Sequence, residues 1–224
     1  MFKRSNLKSM PDYAKTARNK VKRIPDRGHY DSETLYNILD DGYICHMGFS
    51  VDGQPFVIPT LYGREDNKIY VHGATTSRML KAIQDGIPVC LTVTHLDGLV
   101  LARSAFHHSM NYRSAVVFGT AKLVSDEEKN EALRIISENI LKGRWEEARK
   151  PNAKELKATS VLALEIEEAS SKIRTGPPGD EKEDYELPIW AGVIPMKYQY
   201  GEAIDDPDGN PELSIPDSVR NLKK

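Results

Sequence analysis

The sequence has no apolar run approaching the roughly 20 residues needed to cross a bilayer. The basic residues near its start (Lys3, Arg4, Lys8, Lys15, Arg18, Lys20, Lys22, Arg23) are not followed by an apolar stretch of the signal-peptide kind. Neither a membrane role nor export is expected, and the cytoplasm is the expected location. Charge of one sign is also missing. The 31 Lys and Arg residues face 33 Asp and Glu, a formal net charge of -2, so no general attraction to nucleic acid or an anionic surface follows. Cysteine is scarce: Cys45 and Cys90 each sit among apolar neighbours and read as two packed thiols in a reducing compartment, not as a disulfide or a zinc site. Internal repeats, heptads and low-complexity tracts are absent.

What the sequence does contain is a succession of short alternating segments punctuated by turn residues. At 224 residues the chain is long enough for one core and short for two domains. A basic arm (1–26), a central domain (27–175) and a polar tail (176–224) are the expected divisions. Asp31 or Ser32 caps a short helix with Leu35, Ile38 and Leu39 on one face. From residue 43 the period becomes two. Strands are expected at 43–50 and 55–64, joined at Asp52-Gly53, and at 68–73; further strands fall at 89–94, 99–103, 113–124 and 161–167, with a break at Asp97-Gly98. Helices are expected at 77–85 and, behind Ser125 or Asp126, at 126–142. The pattern is mainly β with added helices: about six antiparallel strands in a small barrel.

Three segments could carry chemistry. In His72-Gly73-Ala74-Thr75-Thr76-Ser77-Arg78 a strand ends in small and hydroxylated residues and a helix begins. Free amides, hydroxyls and a two-pronged cation would suit a phosphate monoester, although an ordinary Ser cap beside a surface Arg reads the same way. In His107-His108-Ser109-Met110-Asn111-Tyr112-Arg113-Ser114 a polar run precedes an apolar strand, as at the edge of a ligand site; the adjacent histidines face opposite ways on a strand and lack a third metal ligand. Trp190 lies in an apolar island, 189–195, of the polar tail. It could cover a flat ligand from a neighbouring subunit or fill a gap in its own barrel.

Taken together these segments resemble the FMN-binding split-barrel superfamily of pyridoxamine 5′-phosphate oxidases, and within it the nitroimidazole-reductase-like branch. The resemblance implies a six-stranded antiparallel split β-barrel that forms a homodimer with FMN in clefts between subunits. By position, Ser77 and Arg78 would hold the phosphate, with Pro59 and Thr60 beside the ring system and His72 at the ring or ribityl chain. Met110, Asn111, Arg113 and Ser114 would form another wall, and Trp190 would come from the partner. The tail after Trp190 runs Ala191-Gly192-Val193-Ile194-Pro195-Met196, without the Arg and His that bind substrate in vitamin B6 oxidases, and Met79 replaces the lysine that follows the phosphate-binding Arg. The expected activity is FMN-dependent reduction of a small planar electrophile such as a nitroaromatic or quinone, with His72 as proton donor. A non-catalytic flavin- or haem-binding dimer is the alternative.

Overall fold

In the computed structural model, which describes residues 12–222, the turn signals close the chain into a ring of strands. The short strand β1 (Gly28–His29) leads to α1 (Ser32–Asp40), where the Asp31 carboxylate accepts from the Thr34 amide at 2.7 Å and caps the first turn. Asp52 and Gly53, with φ of 51° and 79°, make the tight turn between β2 (Ile44–Val51) and β3 (Gln54–Glu65). Then follow β4 (Lys68–Ala74), α2 (Arg78–Ile83), β5 (Asp85–Leu101) and β6 (Ser109–Leu123). Next come α3 (Asp126–Ile140), α4 (Arg144–Glu147), α5 (Ala153–Ala158) and β7 (Thr159–Arg174), and the tail adds β8 (Gly192–Pro195) and α6 (Asp217–Arg220).

Six strands pair antiparallel in the cyclic order β7–β4–β3–β2–β5–β6 and back to β7, a split barrel; β1 adds to β7 and β8 to β5. The interior is filled from alternate strand positions, among them Cys45, Met47, Tyr62, Ile69, Val71, Leu91, Val117 and Leu164, and α1 buries Leu35, Ile38 and Leu39 in the same core. The capping box of Ser125 and Glu128 starts α3. This helix lies against β3 at Gly63, where a β-carbon would stand 2.7 Å from the Ile135 carbonyl oxygen, so only glycine permits the approach. Among the described residues no helix is long and apolar enough to cross a membrane.

Several elements differ from the sequence expectation. The expected break at Asp97-Gly98 is a bulge within one 17-residue strand, with the register shifting between Leu96 and Gly98. The last barrel strand extends well beyond Glu167 to Arg174, through Glu168, Ser170 and Ser171, whose polar side chains blur the alternation. The helix after Ser77 is only six residues long because β5 begins at Asp85. The basic arm is placed from residue 12 on, and there it docks: the Asn19 amide donates to the Ala169 carbonyl of β7 at 3.1 Å and Arg18 pairs with Glu168. Lys3, Arg4, Lys8 and Pro11 lie outside the described residues.

Candidate functional site

The barrel is split between β3 and β4. Their pairing covers only Tyr62–Glu65 against Lys68–Val71; before Tyr62, β3 pairs with β2 alone, and after Val71, β4 pairs with β7 alone. Pro59 and Thr60 therefore stand on one lip of an open seam. His72 and Gly73 stand on the other, and the chain continues through Thr75 and Thr76 to Ser77 and Arg78. The Arg78 guanidinium lies 5.8 Å from the Phe56 ring, on the far lip, so the side chain reaches across the mouth of the seam.

At this mouth the donors are free. The Ser77 hydroxyl makes no capping bond, and Arg78 has no ion-pair partner among the described residues. A six-residue helix adds little dipole, so the capacity to grip an anion rests on these side chains, and the guanidinium is the strong donor. His72 is half-buried, with a buried Nδ1 that has no hydrogen-bond partner. Burial lowers its pKa from the ordinary value of 6.5. The imidazole is thus mainly neutral at pH 7 and a weaker proton source than free histidine, which weighs against His72 as the proton donor at neutral pH.

The second wall is brought together only in part. Ser114 pairs with Thr94 and Lys172 on the outer face of the sheet, where the neighbouring row runs through Pro59, His46, Thr92 and Val116. That row spans three strand spacings, about 14 Å. Arg113 turns instead into ion pairs with Asp41 at 2.6 Å and Asp97 at 3.1 Å, which tie the end of α1 to the β5–β6 hairpin. Asn111 is buried against Arg174, and Met110 pairs with Leu99 on the extension of the hairpin beyond the barrel. His107 and His108 diverge: His107 faces Glu181 at 3.6 Å, while His108 Nδ1 accepts from the Ala102 amide at 3.0 Å.

The tail docks on its own chain. The Asp180 carboxylate accepts from the amides of Arg103 and Ser104 at 2.9 and 3.1 Å, and β8 then pairs with Gly98–Leu101 of β5. Between these two pins Trp190 is 66% exposed, so it fills no gap in its own barrel. Its neighbour Gly192 pairs with Leu101, nine residue steps or roughly 30 Å along β5 from Thr92 in the Pro59 row. Sequence reasoning missed Asp180 and Arg174, since their partners lie far away in the chain and no motif marks them.

A split barrel with an open seam, free phosphate-type donors and a tail-borne tryptophan defines the class. Residues 31–173 match the pyridoxamine 5′-phosphate oxidase family, and the chain belongs to that family. Among solved structures it is similar to the flavocytochrome Anf3 from Azotobacter vinelandii, with 42% identity, 93% of this chain and 97% of that chain covered, and a TM-score of 0.87. It is also similar to an FAD and haem binding protein from Mycobacterium smegmatis, with 37% identity, 87% and 96% covered, and a TM-score of 0.84. A candidate 5-nitroimidazole antibiotic resistance protein from Bacteroides thetaiotaomicron shares the fold at 22% identity, with 65% and 86% covered and a TM-score of 0.56. No curated protein matches the chain.

Proposed function

We propose that the chain is a cytoplasmic flavin-dependent oxidoreductase that works as a homodimer and passes electrons to a small planar acceptor of the nitroaromatic or quinone type. The observation that carries this is the placement of Trp190. It is exposed, held on the hairpin extension and roughly 30 Å along β5 from the row of the seam residue Pro59, which supports an indole that covers a flavin in the seam of a second copy. The outer face of the sheet suits that second copy, with Ile44 45% and Val57 67% exposed beside Pro59.

The unpartnered Arg78 and free Ser77 hydroxyl fit a flavin phosphate, and the orphaned Nδ1 of His72 fits a polar edge of such a ligand. When bound, a flavin supplies the hydride or electron transfer. The chain's own contribution is to hold the phosphate at Arg78, to present the backbone at Pro59 and Thr60, and to exclude water with Trp190. His72 presents a neutral imidazole at the seam, one ring nitrogen carrying a proton and the other open as an acceptor, because burial disfavours its charged form.

FMN is the smaller candidate; FAD is favoured by the name of the Mycobacterium smegmatis protein, which binds FAD and haem, while the Azotobacter vinelandii protein is named a flavocytochrome. Those names also favour a second reading, a dimer that carries flavin or haem without turnover. An absorption spectrum of the protein as purified, followed by anaerobic reduction and addition of a nitroaromatic or a quinone, tests both. Flavin bands that bleach and recover with the acceptor support the oxidoreductase. A Soret band without acceptor-driven turnover supports the carrier, and neither chromophore overturns both.

A further inference from the structure

Arg174 ends β7 and is only 7% exposed. Its Nη1 donates to Asn111 Oδ1 and, at 3.4 Å, to the Gly176 carbonyl; Nη2 donates to the Pro177 carbonyl at 3.2 Å. All three acceptors are neutral, and no carboxylate of the described residues neutralises the charge. Holding the turn after β7 accounts for these bonds, but it does not require a cation, and a buried charge without a counter-charge is costly.

The Nε–H and one N–H of Nη2 have no protein partner among the described residues. Both remain as charge-assisted donors for an oxyanion. The nearby charge is another cation. Arg27 closes the 3-10 turn Pro25–Arg27, immediately before Gly28, which pairs with Lys172 two residues from Arg174. Its guanidinium has no hydrogen-bond or ion-pair partner among the described residues. Burial first and Arg27 second lower the pKa of Arg174.

We propose that Arg27 and Arg174 form an anion-binding site at the end of β7 that takes a phosphoryl group through the unused N–H groups of the Arg174 guanidinium. The site is distinct from the seam of the same chain: His72 pairs with Val161, thirteen residue steps or about 43 Å along β7 from Arg174. It adjoins Asn111, one of the residues expected to form the second wall of the flavin site. The phosphoryl group therefore belongs either to a dinucleotide flavin or to a separate phosphorylated compound. Only the first source rests on the flavin reading.

The test uses the full chain in an Arg78→Ala background, which silences the seam, with inorganic pyrophosphate as the probe in calorimetric titration. Adding Arg27→Glu or, separately, Arg174→Lys should weaken pyrophosphate binding by about tenfold or more, the loss expected for a charge-assisted bidentate contact. Lysine keeps the charge and removes the fork, and the Arg27 side chain makes no hydrogen bond or ion pair among the described residues, so Arg27→Glu breaks no bond of the fold; thermal melts of both variants show that each is folded. Equal pyrophosphate affinity in all three proteins, or no binding to any, overturns the site. The same variants with Arg78 intact, titrated with FAD and FMN, identify the source. Loss of an FAD preference assigns the group to the flavin, whereas an unchanged preference with weakened pyrophosphate binding assigns it to a separate compound. If neither flavin binds wild type, the proposed function fails while the pyrophosphate result still decides this site.

Discussion

The indole of Trp190 lies against the backbone of Gly192 so closely that a β-carbon on the glycine would stand 2.8 Å from Cζ2 and 3.1 Å from Cη2. The ring is braced from behind while the residue stays mostly exposed, an arrangement suited to covering a flat ligand. Trp190→Ala removes no core contact, so the stability of the apo form should change by less than about 0.5 kcal/mol. Flavin affinity should nevertheless fall, and Gly192→Ala should reproduce that fall by displacing the indole. Thermal melts and flavin titration on the same proteins decide it. Low apo stability with normal flavin affinity would make the ring structural.

Arg78 pairs with no carboxylate among the described residues, so its removal should cost the fold little and the ligand much. For Arg78→Ala, FMN affinity should drop by roughly tenfold or more, whereas riboflavin, which lacks the phosphate, should be nearly unaffected. An undiminished preference for FMN over riboflavin would place the phosphate elsewhere.

The exposed apolar row on the outer sheet face predicts where the dimer can be broken. Val57→Lys places a charge at a position 67% exposed in the single chain, so the monomer should fold normally. Buried in an interface, the same charge lacks a partner and is strongly unfavourable. Light scattering should give a dimer for wild type and a monomer for the variant, with flavin affinity reduced in parallel. A variant that stays dimeric would move the interface off this face.

Much of this architecture is legible in the sequence wherever local chemistry dictates it. Asp52-Gly53 permits one kind of turn, and the spacing of Ser125 and Glu128 announces a helix start. Legibility fails where distant residues decide. The Asp97-Gly98 pair reads as a chain break, yet β6 pairs across it and β8 closes on Gly98, so tertiary pairing overrides the turn signal. Arg113 resembles a ligand contact until Asp41 and Asp97 are seen beside it, and Arg174 is anonymous until it is seen to have no carboxylate partner among the described residues. The seam itself is legible only through the order of motifs, since nothing local marks where β3 and β4 part.

His72 gives a prediction whose sign follows from its burial. Unfolded, the imidazole titrates near the ordinary 6.5; folded, desolvation lowers its pKa below that value. Above 6.5 both states are neutral and His72 contributes no pH dependence. As the pH falls through 6.5 the unfolded chain takes up a proton that the folded chain does not, so stability is lost until the pH passes below the folded pKa, where the loss levels off. In His72→Gln this contribution is absent, and the decline in melting temperature between pH 7.5 and 5 should be shallower than in wild type. A ligand contacting the ring nitrogen should accentuate the wild-type dependence, because protonation then opposes binding as well as folding. Melting curves across that range, with and without flavin, measure both effects. Parallel pH profiles for wild type and variant would show that the ring titrates alike in both states, and that its orphaned nitrogen is satisfied by water and not held for a ligand.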